Sequence, residues 1–222
     1  MFDSVYSGYS DRIRQSSVVL SNIQSLSGGD LSDINDFIKT QKGVLFVLLY
    51  AAIEYSLTAC VATFLSLLQN DARKPLEYKK YYLCTLLNAQ LNAVRNSGKK
   101  NLWEKKAALL DGVFSNDPVP IDNAVFPTDA INIGCDQIVE IWKMFHLPEP
   151  AFPDSFNHWT LTEIKNHRNS IAHGREKASD IGGRFTLEQL QRKHKEVECL
   201  CMHIISTFEN VFGRKGYLVE HA

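Results

Sequence analysis

The sequence has almost no net charge: 24 Lys and Arg stand against 25 Asp and Glu, a formal balance of −1 at pH 7. That excludes a polycation wrapped in nucleic acid over its whole surface, so any such partner has to be met by a local patch. Strand-like alternation of any length is missing, as is an internal repeat, which leaves no basis for a sheet or a solenoid. No glycine loop of the phosphate-cradling or dinucleotide-binding kind occurs. An even set of cysteines is absent too. Cys60, Cys84, Cys135, Cys199 and Cys201 are odd in number and sit mostly in apolar segments, which fits reduced thiols in a cytoplasmic protein better than a disulfide framework. The opening "MFDSVYSGYSDRIR" has no basic start followed by an apolar run, so no signal peptide is expected.

What is present is a helical pattern in a chain of 222 residues, 45% hydrophobic and 22% charged, ample for a buried core. The spacing predicts an amphipathic helix over 3–26 with Val5, Ile13, Val18, Leu20, Ile23 and Leu26 near one side. The paired glycines of "SGGDLS" (27–32) then turn the chain. A long helix follows over 33–70, with others over 76–96, 101–111 and 130–146, the last capped by Asp129. Residues 113–129 carry three of the seven prolines and read as an irregular loop. Thr160 with Glu163 and Thr186 with Gln189 match the capping box, a hydroxyl followed three residues later by an acid or amide. They predict helices from 161 to 173, stopped by Gly174, and over 187–212. Between these two, "GREKASDIGGRF" reads as a polar connection that can move. The expected fold is an all-α bundle in a single domain, 1–222, with its core at 31–212, an N-terminal helix within 1–30 and a long buried central helix.

Residues 43–69 are long and apolar enough for a membrane span. Glu54 would then lie near the bilayer centre at a cost of roughly 2.5–3.5 kcal/mol, and Lys and Arg occur on both flanks, so a buried helix and no membrane are expected. Buried mid-helix, Glu54 needs a partner. The alternatives are Arg168 or its neighbours, or a structural tyrosine or arginine elsewhere.

Most chemical motifs are weak. Cys199, Cys201 and His203 resemble a metal cluster on paper, but residues two apart on a helix lie about 200° apart and do not converge. "QRKHKE" (191–196) is a charge run of the kind that covers a solvated helix face. The segment "LTEIKNHRNSIAHGREK" (161–177) differs. Asn169 and His173 are four apart and share a face, so the amide can orient the imidazole. Arg168 lies about 140° round the helix from His173, so one helix cannot easily aim both at one atom. A second copy across a two-fold axis can, which favours a symmetric dimer. The plainer reading is a histidine placed to gain from the helix dipole, with Gly174 as the stop. Between 161 and 195 eight basic residues stand against four acids, a local net of +4 suited to a phosphate backbone.

"RNSIAHG" (168–174) resembles the signature of HEPN domains: an arginine, a polar residue, three variable residues and a histidine. "LLYAAIEYSL" (48–57), "INIGCDQIVEIWKMFHLP" (131–148) and the long last helix are similar in order and spacing to the MAE_28990/MAE_18760-like HEPN group. The likeness covers roughly 40–212, and only the motif itself is highly specific. The resemblance implies a metal-independent endoribonuclease without a cofactor, often a toxin or an antiphage effector, working as a homodimer or beside an antitoxin or other defence protein. It implies catalytic roles for Arg168, His173 and Asn169, with Glu54 in support. Lys165, His167, Arg175 and Lys177 are the expected RNA contacts. Two other classes remain open: a non-catalytic HEPN module that binds a partner protein or RNA, and a small-ligand-binding four-helix module of the nucleotidyltransferase-partner type.

Overall fold

A computed structural model describes residues 1–26, 32–118, 121, 132–154 and 156–219, and among them every extended element is a helix. In chain order these are α1 (Asp3–Leu26), α2 (Ser32–Asp71), α3 (Lys80–Leu86), α4 (Asn88–Arg95), α5 (Leu102–Val113), α6 (Cys135–Met144), α7 (His158–Ala172), α8 (Ala178–Gly182) and α9 (Leu187–Gly213), with a 3₁₀ turn at Pro75–Glu77. The all-α architecture is the expected one. The turn at 27–31, the Asp129 cap and most of the 113–129 loop lie outside the described residues.

Helix α2, 40 residues and so about 60 Å long, is the axis on which α1, α7, α8 and α9 pack. Its buried side includes Leu45, Phe46, Leu49, Ile53, Leu57, Val61 and Phe64. The segment Asn35–Asp71 is long and apolar enough to cross a membrane, yet 56% of its most apolar stretch is buried by the other helices. It is not enclosed on every side: Val44, Val47, Leu48, Ala51 and Glu54 recur at helical spacing on a half-buried face. Glu54 is therefore not the buried carboxylate that the sequence suggests.

In α1 the stripe Val5, Tyr9, Ile13, Ser16, Leu20, Ile23 faces the core, whereas Val18 and Leu26 fall off that line and are exposed. The expected helix at 76–96 is broken twice. Lys79 donates its N–H to Tyr217 O and Val219 donates to Glu77 O, so backbone groups that would continue a helix are used by the chain's C-terminal stretch. Leu87 then separates α3 from α4. Helix α6 starts later than expected, at Cys135, because the Gly134 N–H bonds the Gln137 side chain and caps it there.

The connection 174–185 is held in place, contrary to the sequence reading. It contains α8, whose Ile181 and Gly182 are buried. A Cβ on Gly43 would lie 2.0 Å from Ala178 O, and one on Gly182 1.9 Å from Lys39 O. Two glycines thus let the α8 and α2 backbones touch.

Candidate active site around Arg168

Helix α7 begins earlier than the capping-box reading predicts. Asn157 caps it by accepting the Trp159 N–H, and Thr160 is buried within the first turn. Glu163 cannot complete the box because its carboxylate takes the buried ammonium of Lys193 on α9. The other end is as expected. Gly174 has φ +64; its N–H bonds Ile171 O, and the Arg175 N–H bonds Ser170 O. This is the paired closure of a Schellman ending, which a left-handed glycine permits. His173 is therefore the last residue before the chain turns away, and it is exposed.

Arg168 is half-buried and held by three uncharged partners. Its Nη1 donates to Asn132 Oδ1 and to Asn169 Oδ1, both at 2.9 Å, and its guanidinium carbon lies 4.8 Å from the centre of the Tyr50 ring. Tyr50 also fixes the segment that carries Asn132, since its hydroxyl oxygen accepts the Ile133 N–H at 2.6 Å. Both Nη1 hydrogens are used, while Nη2 and Nε have no acceptor among the described residues. One complete edge of the guanidinium fork, Nε with Nη2, remains for a ligand.

Three expectations change here. Asn169 spends its oxygen on Arg168 rather than orienting His173, whose side chain has no hydrogen-bond partner among the described residues. Glu54 makes no ion pair with Arg168; it sits one turn from Tyr50 and acts on that phenol. Burial, and then the Glu54 charge, push Tyr50 above its ordinary pKa of 10. His167 does not face outward. It packs against Phe46 at 4.9 Å and Phe185 at 5.5 Å between ring centres, and burial lowers its pKa below 6.5 despite Glu163 at 3.9 Å. The reason is angular: one residue before Arg168, it is turned toward the α2–α9 side that Glu163 also faces.

Electrostatics separates the eight basic residues of 161–195 into two sets. Arg184 pairs with Glu176, Arg192 with Glu196, Lys193 with Glu163 and Lys195 with Glu198. Lys165, Arg168, Arg175 and Lys177 have no carboxylate partner among the described residues. Lys165 reaches over Gly134 at the start of α6, beside the Asn132 segment. Arg175 and Lys177 are exposed and line a shallow depression with Ile171, Gly174 and two acids, Glu176 and Asp180.

Asn132 and Tyr50 are the site residues that sequence reasoning missed. The signals were an amide isolated in the apolar run "INIG" and a tyrosine four residues before Glu54. Elsewhere, Cys201 is buried, Cys199 is exposed, and the His203 ring lies on Trp142 with its Nε2 2.7 Å from Pro150 O. Among the described residues no three His, Cys, Asp or Glu converge as metal ligands.

A family model described as MAE_28990-like HEPN matches residues 10–217. No curated protein and no solved structure matches the chain significantly.

Proposed function

The chain belongs to the MAE_28990-like HEPN family, and from that premise we propose that it is an endoribonuclease that cleaves RNA without a metal ion. The observation that supports this most is Arg168: a guanidinium cornered by amides and a ring, with no carboxylate on it among the described residues and its Nε–Nη2 edge open. A guanidinium held this way keeps its charge for an incoming anion instead of spending it on a carboxylate. Lys165, Arg175 and Lys177 add unpaired positive charge along the same helix and just past its end, where a phosphate backbone can lie.

The chemistry uses the nucleophile that RNA brings. The 2′-OH attacks the adjacent phosphorus, the 5′-oxygen leaves, and a 2′,3′-cyclic phosphate end results. Arg168 binds the phosphoryl oxygens through its Nε–Nη2 edge and stabilises the charge that grows on them. His173 takes the 2′-OH proton or gives one to the leaving oxygen, as an imidazole can near neutral pH. Asn169 and Asn132 hold Arg168. Because Arg168 and His173 are five residues apart on one helix, the working site is assembled by two copies, each supplying one α7. A cytoplasmic toxin or antiphage effector, restrained by a partner protein, is the role we assign.

One observation favours a second reading, a non-catalytic module that binds RNA or protein: nothing among the described residues orients the His173 side chain. Incubating purified protein with total RNA in EDTA separates the two. Cleavage that survives chelation and vanishes in Arg168→Ala and His173→Ala supports the nuclease. Cleavage indifferent to both substitutions removes the site assignment, and an intact RNA pool supports the module.

A further inference from the structure

Helix α5 carries an apolar stripe that nothing described covers. It packs against α4 and the 3₁₀ turn, and neither α4 nor α5 buries a single residue. On α5, Trp103 is 77% exposed, Leu110 55% and Phe114, its C-cap, 66%; Ala107 is exposed between them. Their spacings of four, three and four are those of alternating d and a positions in a heptad, the seam along which two helices pack. Three of the four residues that flank this seam are charged, of opposite sign on its two edges, and the fourth is Val113; the Lys106 ammonium rests 4.8 Å from the Trp103 ring centre. Glu104 and Asp111 fall at e and Lys106 at g, all three exposed and none in an ion pair among the described residues.

We propose that α5 is a self-association helix, docking in parallel against α5 of a second copy of this chain. The charges select that occupant. In a parallel pair a g residue faces the partner's e residue five positions on, so Lys106 meets the partner's Asp111 on both sides of the seam. An antiparallel pair would set e against e and g against g, acid facing acid. An anionic lipid surface or an RNA could use Lys99, Lys100, Lys105 and Lys106 but would leave Glu104 and Asp111 uncompensated along one edge of the stripe, whereas a parallel second copy supplies a partner for Asp111. The seam is three turns long, about 16 Å, and smaller than the roughly 800 Å² per partner of a standard interface, so the association is weak and concentration-dependent. It is also separate from the Arg168 site. Arg168 lies over Tyr50, whereas α5 sits by Pro75, beyond the end of α2 at Asp71 and about 30 Å further along that helix. The inference therefore does not depend on the nuclease reading.

Sedimentation velocity over a dilution series of the full chain tests it. Lys106→Asp, which turns two symmetry-related attractions into repulsions, is expected to raise the self-dissociation constant about tenfold. Lys106→Asp with Asp111→Lys restores it, and Leu110→Asp abolishes the α5-dependent association while leaving a dimer built on α7 intact. These are exposed positions, and circular dichroism checks that each variant folds. Identical sedimentation of wild type and Lys106→Asp overturns the proposal, as does failure of the double exchange to restore association. A chain monomeric at every concentration that binds phosphatidylglycerol vesicles through Trp103 assigns the stripe to lipid and overturns it too.

Discussion

The Arg168 guanidinium lies over the Tyr50 ring, its carbon 4.8 Å from the ring centre, and that contact joins the central helix to the motif helix. The same phenol accepts the Ile133 N–H, so one side chain positions both the arginine and the segment bearing its amide partner Asn132. Tyr50→Phe keeps the ring but leaves the Ile133 N–H without its acceptor. It is expected to cost about 1–3 kcal/mol of stability and to lower RNA cleavage more than RNA binding. Thermal melting with single-turnover cleavage reads both; unchanged values for each would remove Tyr50 from the site.

Replacing the neutral partner of Arg168 by a charged one should be worse than removing it. Asn132→Ala frees one Nη1 hydrogen, whereas Asn132→Asp places a carboxylate on the guanidinium that competes with phosphate. The expected order of kcat/KM is wild type, then Ala, then Asp, with Asp down about a hundredfold, the size of losing one oxyanion-binding donor. An Asp variant as active as the Ala variant would contradict the idea that uncompensated charge is what Arg168 supplies.

Salt reports how many unpaired cations meet RNA. With Lys165, Arg168, Arg175 and Lys177 all in contact, log K against log salt for a single strand should slope at about −3 for one chain, near −0.7 per phosphate neutralised. Lys177→Ala or Arg175→Ala should each flatten the slope by about 0.7. Lys195→Ala, which removes a cation already paired with Glu198 at 3.9 Å, should leave it alone. Fluorescence anisotropy in His173→Ala, which cannot consume the probe, measures all four.

Stability should fall on mild acidification. Burial keeps His167 and His194 below their ordinary pKa of 6.5, so the unfolded chain binds protons that the folded chain refuses. Their contribution is whole above about pH 6.5 and is lost as pH drops from there through the lowered folded values. His167→Phe, which retains an aromatic ring for Phe46 and Phe185, should flatten that fall. Melting temperatures on either side of the window decide it; an equally steep fall would locate the acid sensitivity elsewhere.

The glycine contact between α2 and α8 predicts a steric failure. Gly43→Ala drives a methyl into the Ala178 carbonyl, at a cost of about 1–3 kcal/mol for an overpacked core. Exchange of the α8 amides should speed up first, since α8 has to lift away. Protection of α8 amides equal to wild type would mean that α2 and α8 are held together by something other than that contact.

The sequence made the helical class and the motif legible because both are local. Periodic apolar positions draw the long helices, and Gly174 marks the end of α7 by its need for a left-handed φ. What could not be read was decided by contacts distant in sequence. Thr160 failed as a cap because Lys193, thirty residues on, holds Glu163. His167 turned inward because Phe46 and Phe185 form a slot for it. Asn132 became a site residue only because Tyr50, more than eighty residues earlier, fixes its neighbour. The break after Pro75 follows from pairing with the far end of the chain.

Helix α7 is gripped on two sides by contacts of different kinds. Glu163 is tied to Lys193 on α9, and Arg168, five residues later and about 140° round, is tied to Asn132. Two ties at unlike angles fix the rotation of α7 about its own axis, and with it the direction in which Arg168 projects. His173, beyond both ties, is placed instead by the left-handed ending at Gly174. The two motif residues are thus set by different contacts although one helix carries both.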